Sequence, residues 1–245
     1  MLVVGNYVSP YVRKVLACLA LKGVTYEIDP ITPFYGDEAF ETLSPLRRIP
    51  VLIDGDLAMC DSSVICQYLE ERYPSPALLP TDLAARAHAR WLEEFADSRM
   101  GDVFIWRMFY PLTVGPAVWG ERGDPDAVAR NRETDAPKVL DYLERQVPAD
   151  GFLFGEIGLA DVSLAAFFRN AAFVRFEIGA GRWPKTASFI ARVLDHPALA
   201  ALRLFETICL RTPIAGHRGA LKAAGAPISD RTYAADAPRR GVMPI

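Results

Sequence analysis

The first 75 residues alternate between short strand patterns and helix patterns. Residues 2–4 are a β-rich run, and Ser9-Pro10 then places an N-cap residue and a proline at the start of a helix. The apolar residues that follow are spaced by three and four, as on one face of a helix. Residues 24–28 alternate as a second strand, and residues 37–43 predict a short second helix.

A hairpin and a third helix complete this pattern. Residues 50–53 and 57–60 are strand-like runs joined by an Asp-Gly turn, which is a strong hairpin signal. The Asp-Ser-Ser run at residues 61–63 caps a helix that is predicted to reach Tyr73. The order β-α-β-α-β-β-α predicts a parallel strand pair from its first half and an antiparallel pair from the hairpin.

From residue 84 onward the pattern is helical. Pro111 is expected to stop or kink the first of these helices, and Pro137 to break the second. The predicted helices cover residues 84–110, 126–147, 159–176, 184–194 and 197–208.

The chain is predicted to end in a segment of different character. Residues 213–245 hold four prolines and four glycines and show no helical periodicity, so we expect an extended tail that adds little core. The predicted organisation is an α/β domain at 1–75, a linker at 76–83, an all-helical domain at 84–212 and this tail.

Composition excludes several classes of protein. Hydrophobic residues make up 51% and charged residues 23%, which rules out a disordered chain. A net charge of −3 argues against a nucleic-acid binder. The four cysteines lack Cys-x-x-Cys spacing and the three histidines are scattered, so no metal site is expected. The absence of a long apolar stretch predicts a soluble, cytoplasmic protein with no membrane partner.

Three segments of the α/β domain carry polar residues at the ends of elements. Ser9 lies at the positive end of a helix dipole, where a hydroxyl can favour an anion such as a thiolate. Residues 47–50, Arg-Arg-Ile-Pro, can supply a carboxylate-binding cation, and residues 61–63 can bind a carboxylate through backbone N–H groups. From the pattern alone, plain helix capping is the commoner explanation for Ser9 and a solvated pair is the commoner explanation for the arginines, and residues 61–63 can also be a plain helix cap.

Taken together, these segments resemble those of a serine-type, bacterial-like member of the cytosolic glutathione transferase family. The resemblance covers about residues 1 to 210 and includes the helical second half. It rests on three motifs in order, Ser9-Pro10-Tyr11-Val12-Arg13-Lys14-Val15, Leu43-Ser44-Pro45-Leu46-Arg47-Arg48-Ile49-Pro50-Val51-Leu52 and Asp61-Ser62-Ser63-Val64-Ile65-Cys66-Gln67-Tyr68-Leu69.

The resemblance implies a thioredoxin-like domain followed by an all-α domain, with glutathione at the carboxyl ends of the strands. Ser9 matches the serine that hydrogen-bonds the glutathione thiolate, with Tyr7 as the second candidate for this role. Cysteine at the Ser9 position would be needed for thiol-disulfide transfer, so that branch is excluded. The Ser-Ser-Cys signature of the maleylacetoacetate isomerase branch is also absent.

The resemblance also assigns the remaining glutathione contacts. Arg48 stands where relatives carry a lysine near the glycyl carboxylate. Ile49 precedes the family's cis-proline, Pro50, and its backbone is expected to pair with the cysteinyl unit. Asp61 and Ser62 match the acidic-serine pair that holds the γ-glutamyl group.

Two further expectations concern the helical domain. The family's core-helix box begins here with Gly158 rather than Ser or Thr, so the side-chain half of that cap is missing. The electrophile site is expected between the domains, with Trp106 and Tyr110 among its lining residues.

The predicted function is a detoxifying glutathione transferase that adds the glutathione thiolate to a hydrophobic electrophile, without a metal and as a homodimer. A non-catalytic binding or interaction module of the same fold remains an alternative, as does a glutathione-dependent dehalogenase or ether-cleaving enzyme.

Overall fold

The computed structural model describes residues 1–241, and the chain divides into two compact units. The first unit is Met1–Pro76 together with the chain from Pro197 onward, and the second is Ala77–His196. This division differs from the predicted one, which ended the helical domain at residue 212.

The first unit contains a four-stranded sheet, and its strands and helices follow the predicted order along the chain. The strands lie in the order β2-β1-β3-β4, with β1 and β2 parallel and the other two pairs antiparallel. The elements are β1 Leu2–Val4, α1 Pro10–Leu21, β2 Glu27–Asp29, a 3₁₀ turn Pro33–Tyr35, α2 Glu38–Leu43, β3 Val51–Asp54, β4 Leu57–Cys60 and α3 Ser62–Arg72.

The second unit is built from helices within residues 77–196. Its elements are α4 Leu83–Phe95, a π-helical segment Ala96–Val114, α5 Gly115–Trp119, α6 Pro125–Arg130, a second π-helical segment Asn131–Asp135, α7 Ala136–Gln146, α8 Leu159–Phe173 and α9 Pro184–Asp195. Within residues 1–241, no helix is long and apolar enough to cross a membrane.

The helix does not stop at Pro111, which corrects the first of the two predicted outcomes at this proline. Pro111 lies inside the π-helical segment 96–114, and the helix continues beyond it into α5. In this wider helix the Gly115 N–H donates to the Tyr110 carbonyl, five residues back. Pro137 does not break its helix either, because α6, the second π-helical segment and α7 follow one another without a gap and Pro137 lies inside this run.

The structure explains why position 158 carries glycine in place of serine or threonine, which the sequence alone does not show. A Cβ atom at this position would lie 2.6 Å from the Leu78 carbonyl oxygen, so neither serine nor threonine fits. The other half of the cap is present, because the Asp161 carboxylate accepts hydrogen bonds from Gly158 N and Leu153 N, both at 2.9 Å. Burial raises the pKa of Asp161 to about 6, against the effect of these two bonds.

The chain after Pro197 belongs to the first unit. It forms α10 Pro197–Ala200, α11 Arg203–Arg211, a 3₁₀ turn Ile214–Gly216 and α12 His217–Ala223. Beyond α12, Ile228 pairs with Ile28 in a parallel bridge, and Ala234 pairs with Gly36 in an antiparallel one.

These contacts correct the expectation of a tail that adds little core. Tyr233 is only 2% exposed and belongs to one core cluster of the first unit. The other buried members of that cluster are Val4, Ile31, Phe40 and Val51. The tail is therefore part of the folded α/β unit as far as residue 241, while residues 242–245 of the predicted tail lie outside the described residues.

Asp29 fixes this C-terminal segment to the end of β2. Its buried carboxylate accepts hydrogen bonds from Arg218 Nη1 at 2.9 Å, Thr232 Oγ1 at 2.9 Å and the Tyr233 N–H at 2.7 Å. Burial raises the pKa of Asp29, and these three donors oppose that rise. A buried carboxylate is tolerable only when it is paired in this way, so the segment and Asp29 depend on each other.

Candidate functional site

The sheet register brings the three polar segments to one edge. Val51 pairs with Val4 on one side and with Cys60 on the other. Val4 ends β1, Val51 begins β3 and Cys60 ends β4, so the chain before β3 and the chains after β1 and β4 meet at this edge. Residues 5–9, 47–50 and 61–63 are these connecting segments.

Ser9 lies at the N-terminus of α1, as predicted. Its side-chain oxygen accepts a hydrogen bond from the Val12 N–H at 3.4 Å, and its φ of −69° and ψ of 127° are those of an N-cap residue. Ser9 is half-buried, whereas the next residue, Pro10, is buried. Capping and thiolate binding are compatible here, because the hydroxyl accepts from the helix and keeps its proton to donate.

Tyr7 is in a different environment from Ser9. Its side chain is 0% exposed, and its ring packs against Phe205 with centroids 5.0 Å apart. Burial and the neighbouring Tyr26 raise the pKa of Tyr7 far above its ordinary value. A hydroxyl without exposed surface cannot reach a bound thiol, so this geometry counts against Tyr7 as the catalytic group.

Arg47 and Arg48 are adjacent in sequence but differ in burial. Arg47 is buried with a positive φ of 50°, and its guanidinium donates to Glu41 Oε2 at 3.1 Å and to the Gly36 carbonyl at 2.9 Å. Arg48 is exposed, which suits a cation that binds a ligand carboxylate. The Ile49–Pro50 peptide bond is cis, as the motif predicts.

The third segment combines a cap with an unusual backbone conformation. Asp61 Oδ1 accepts from the Ser63 N–H at 2.9 Å and the Val64 N–H at 3.2 Å, so it caps α3. Its φ is 79°, a left-handed value that costs free energy for a residue with a side chain. The Asp61 side chain is exposed, whereas Ser62 is buried at the first position of α3.

Trp106 and Tyr110 lie in the π-helical segment of the second unit. Trp106 is 39% exposed, and its ring centroid is 5.8 Å from that of Tyr110. The Tyr110 hydroxyl accepts from Trp119 Nε1 at 3.0 Å. They form an accessible aromatic pair, and their role with an electrophile stays a prediction.

Two supporting residues were missed at the sequence level. Asn6 accepts from the Val8 N–H through Oδ1, at 3.0 Å, and from the Ser9 N–H through its backbone carbonyl, also at 3.0 Å. Arg13 donates to the carbonyl oxygens of Val8 at 3.4 Å and Tyr7 at 3.5 Å. One signal was available for Arg13, because a charged residue interrupts an otherwise apolar helix face.

The comparisons with known proteins agree with this architecture. A family model described as "Glutathione S-transferase, N-terminal domain" matches residues 3–77. Glutathione S-transferase Z2 of Arabidopsis thaliana is 39% identical over 193 residues, which cover 78% of this chain and 84% of that protein. Maleylacetoacetate isomerase of Rattus norvegicus is 32% identical over 199 residues, covering 79% of this chain and 84% of that protein.

A solved structure shows the same fold. The crystal structure of a glutathione S-transferase from Rhodospirillum rubrum F11 is similar with a TM-score of 0.75 and 25% identity, over 82% of this chain and 90% of that chain. The fold, together with the sheet edge at which the three polar segments meet, is that of a thioredoxin-like domain followed by a helical domain, as predicted. The chain belongs to the glutathione S-transferase family. The predicted class of enzyme is therefore confirmed, while its reaction and the roles of its residues require a proposal.

Proposed function

We propose that this protein is a serine-type glutathione transferase, which binds glutathione at the edge defined by Val4, Val51 and Cys60 and adds the thiolate to a hydrophobic electrophile. The observation that carries the proposal is the register across these three residues, which brings a half-buried serine, an exposed guanidinium and an exposed carboxylate to one end of the sheet.

In this proposal Ser9 stabilises the reactive form of glutathione. A free thiol has a pKa near 8.5, so about a few per cent of it is thiolate at pH 7. The Ser9 hydroxyl would donate to the sulfur, and the N-terminus of α1 would add the positive end of its dipole. The thiolate sulfur then attacks the electrophilic carbon, and with an aryl halide the carbon–halogen bond breaks and halide leaves.

The remaining contacts would bind the unreactive ends of glutathione. Arg48 would pair with the glycyl carboxylate, and the Ile49 backbone before cis-Pro50 would pair with the cysteinyl unit. Asp61 Oδ2 would accept from the γ-glutamyl amino group, because Oδ1 already caps α3. Ser62 and the N-terminus of α3 would receive the γ-glutamyl carboxylate.

The electrophile is proposed to be hydrophobic and to contact Trp106 and Tyr110. Apolar and aromatic side chains favour such substrates because binding removes apolar surface from water. A homodimer, typical of the family, is part of the proposal and is tested by light scattering of the purified protein.

A second reaction of the same site deserves a test because one relative is a maleylacetoacetate isomerase. In such a reaction glutathione would add to the substrate and leave again after isomerisation. The chain lacks a cysteine beside Ser9, where Pro10 and Tyr11 stand instead, so we favour conjugation.

The experiment measures retention on glutathione resin, turnover of a generic aryl halide and isomerisation of maleylacetoacetate. Retention with release of halide and formation of the thioether supports the proposal. Retention with isomerisation alone assigns the second reaction. Retention without turnover supports a binding module. Failure to bind glutathione overturns every proposed function that places glutathione at this edge of the sheet.

A further inference from the structure

The loop that precedes Ser9 is held by hydrogen bonds to one buried residue, Asn6. Asn6 is 4% exposed, and its Oδ1 accepts from the Val8 N–H at 3.0 Å. Its backbone carbonyl accepts from the Ser9 N–H, also at 3.0 Å. The Asn6 side chain therefore holds Val8, and the Asn6 backbone carbonyl holds Ser9, the residue that caps the helix.

The amide end of Asn6 meets a histidine from the far end of the chain. Asn6 Nδ2 lies 3.2 Å from His217 Nδ1 and 3.5 Å from the Pro30 carbonyl oxygen. His217 Nε2 lies 2.9 Å from the Thr212 carbonyl oxygen, which can only accept. Nε2 must therefore carry the proton, and Nδ1 is the acceptor for the Asn6 amide.

His217 is buried and firmly held. It is 6% exposed at the start of α12, and burial lowers its pKa, which favours the neutral ring that this hydrogen-bond pattern requires. The next residue, Arg218, donates to the buried Asp29 carboxylate at 2.9 Å. His217 thus directly precedes Arg218, which forms an ion pair with Asp29 at the end of β2.

We propose that His217 is a positioning residue for Ser9, acting through the Asn6 side chain without touching glutathione. The proposal rests on the proposed function, because it assigns a task to Ser9. It gives the C-terminal segment a role in the reaction: α12 supplies one of the acceptors that hold the Asn6 amide, and Asn6 holds the loop that leads to the Ser9 hydroxyl.

A residue that acts only through Ser9 should change the kinetic constants in a distinctive way when it is replaced. Removing the His217 acceptor loosens the Ser9 hydroxyl but leaves Arg48, Asp61 and Ser62 in place. We therefore expect kcat at neutral pH to fall while the KM for glutathione stays within about twofold. The effect on kcat must also disappear when Ser9 has already lost its hydroxyl.

The test compares His217→Ala in two backgrounds, the full-length wild type and Ser9→Ala. In the wild type we expect His217→Ala to lower kcat by roughly three- to tenfold, the cost of one neutral hydrogen bond, and to raise the pKa of enzyme-bound glutathione. In the Ser9→Ala background we expect no further fall in kcat. His217→Gln should restore kcat, because its Oε1 can accept from Asn6 and its Nε2 can donate to Thr212.

His88→Ala is the matched control, since His88 is an exposed histidine of the second unit. It should leave kcat unchanged. Should His217→Ala give no soluble protein, Asn6→Ala interrupts the same connection and is measured in both backgrounds. All rates are compared at a temperature well below the unfolding transition of every variant.

The outcomes separate this inference from the function on which it rests. An unchanged kcat for His217→Ala, or equal losses with and without the Ser9 hydroxyl, overturns the positioning role while glutathione binding stands. A wild-type protein that neither binds glutathione nor turns over an electrophile overturns the proposed function and this inference together.

Discussion

Arg13 Nε donates to Glu206 Oε1 at 2.5 Å, and both side chains are only 1% exposed. The pair joins the first turn of α1 to α11 within the first unit. Because Arg13 also donates to the carbonyl oxygens of Tyr7 and Val8, it holds the chain just before Ser9. A partner 193 residues away along the sequence thus supports the candidate site.

We expect Glu206→Ala to destabilise the protein by about 3–5 kcal/mol, because it leaves the Arg13 guanidinium buried without its carboxylate. The free energy of unfolding in urea measures this change. The double variant Arg13→Leu/Glu206→Leu should recover most of the loss, since replacing both residues removes the buried charge. A single variant as stable as the wild type would show that the pair does not stabilise the fold.

Ending the chain at residue 212 should prevent the first unit from folding stably. The truncation removes Tyr233 from the core and takes all three hydrogen-bond donors from the buried Asp29 carboxylate. Each of these losses costs about 3–5 kcal/mol, and typical domains have only 5–15 kcal/mol in total.

The control is a chain that ends at residue 241, which keeps these contacts. The measurements are the yield of soluble protein and the thermal transition. A cooperative transition with a slightly lower midpoint for the chain ending at 212 would restore the original expectation of a dispensable tail.

The sequence predicted local features well and distant pairing poorly. The Ser9 and Asp61 caps, the hairpin and the order of elements were all predicted, because each follows from neighbouring residues. The anchoring of Asp29 was not predicted, because its partner Arg218 lies 189 positions away. The Pro- and Gly-containing composition of residues 213–245 predicted an extended tail without helices, which α12 contradicts, and it carried no signal for the packing of this segment.

In the candidate site, too, local features were predictable from the sequence and distant contacts were not. Motif positions placed Ser9 and Asp61 at helix starts, and the sheet register then brought their segments to one edge. Tyr7 and Ser9 are two residues apart in sequence, so only the structure separates the buried ring from the half-buried serine. The supporting bond between Asn6 and His217 joins positions 211 apart and has no local pattern.

Asp161 should make stability depend on pH. Its pKa is raised to about 6 in the folded chain from an ordinary value of 3.8, so the native state binds the extra proton between these values. The free energy of unfolding should therefore fall as pH rises from about 4 to about 6, and Asp161 should contribute no further change above that window.

Asp161→Asn isolates this contribution, because other titrating groups act equally on both proteins. Relative to the variant, the wild type should lose on the order of 3 kcal/mol between pH 4 and pH 7. Urea unfolding at half-unit pH steps provides the measurement. A constant difference between the two proteins would mean that Asp161 is ionised throughout this range.

Asp61→Ala should weaken glutathione binding beyond the loss of a helix cap. The variant removes a carboxylate that would bind the γ-glutamyl amino group, so we expect the KM for glutathione to rise by about tenfold, the cost of one hydrogen bond to a charged group, with a smaller change in kcat. Arg48→Ala and Ser62→Ala should show the same pattern.

Asp82→Ala is the matched control, because Asp82 caps α4 by accepting from the Ala85 N–H at 2.9 Å. Both variants should lose about 1 kcal/mol of stability, but only Asp61→Ala should change the KM. An equal KM for the two variants would remove Asp61 from the binding site.

Ser9→Ala tests the proposed chemistry directly. The variant removes the hydroxyl donor and keeps the dipole of α1, so glutathione should still bind. A hydrogen bond to a charged group contributes roughly 1.5–3 kcal/mol, equivalent to about one to two pKa units of the thiol. We therefore expect kcat near neutral pH to fall by roughly tenfold or more and to recover as pH rises and the thiol ionises without assistance. Tyr7→Phe is measured alongside, because its buried hydroxyl should leave the pH–rate profile unchanged. Loss of activity in Tyr7→Phe with full activity in Ser9→Ala would transfer the catalytic role to Tyr7 and require the β1–α1 loop to open during turnover.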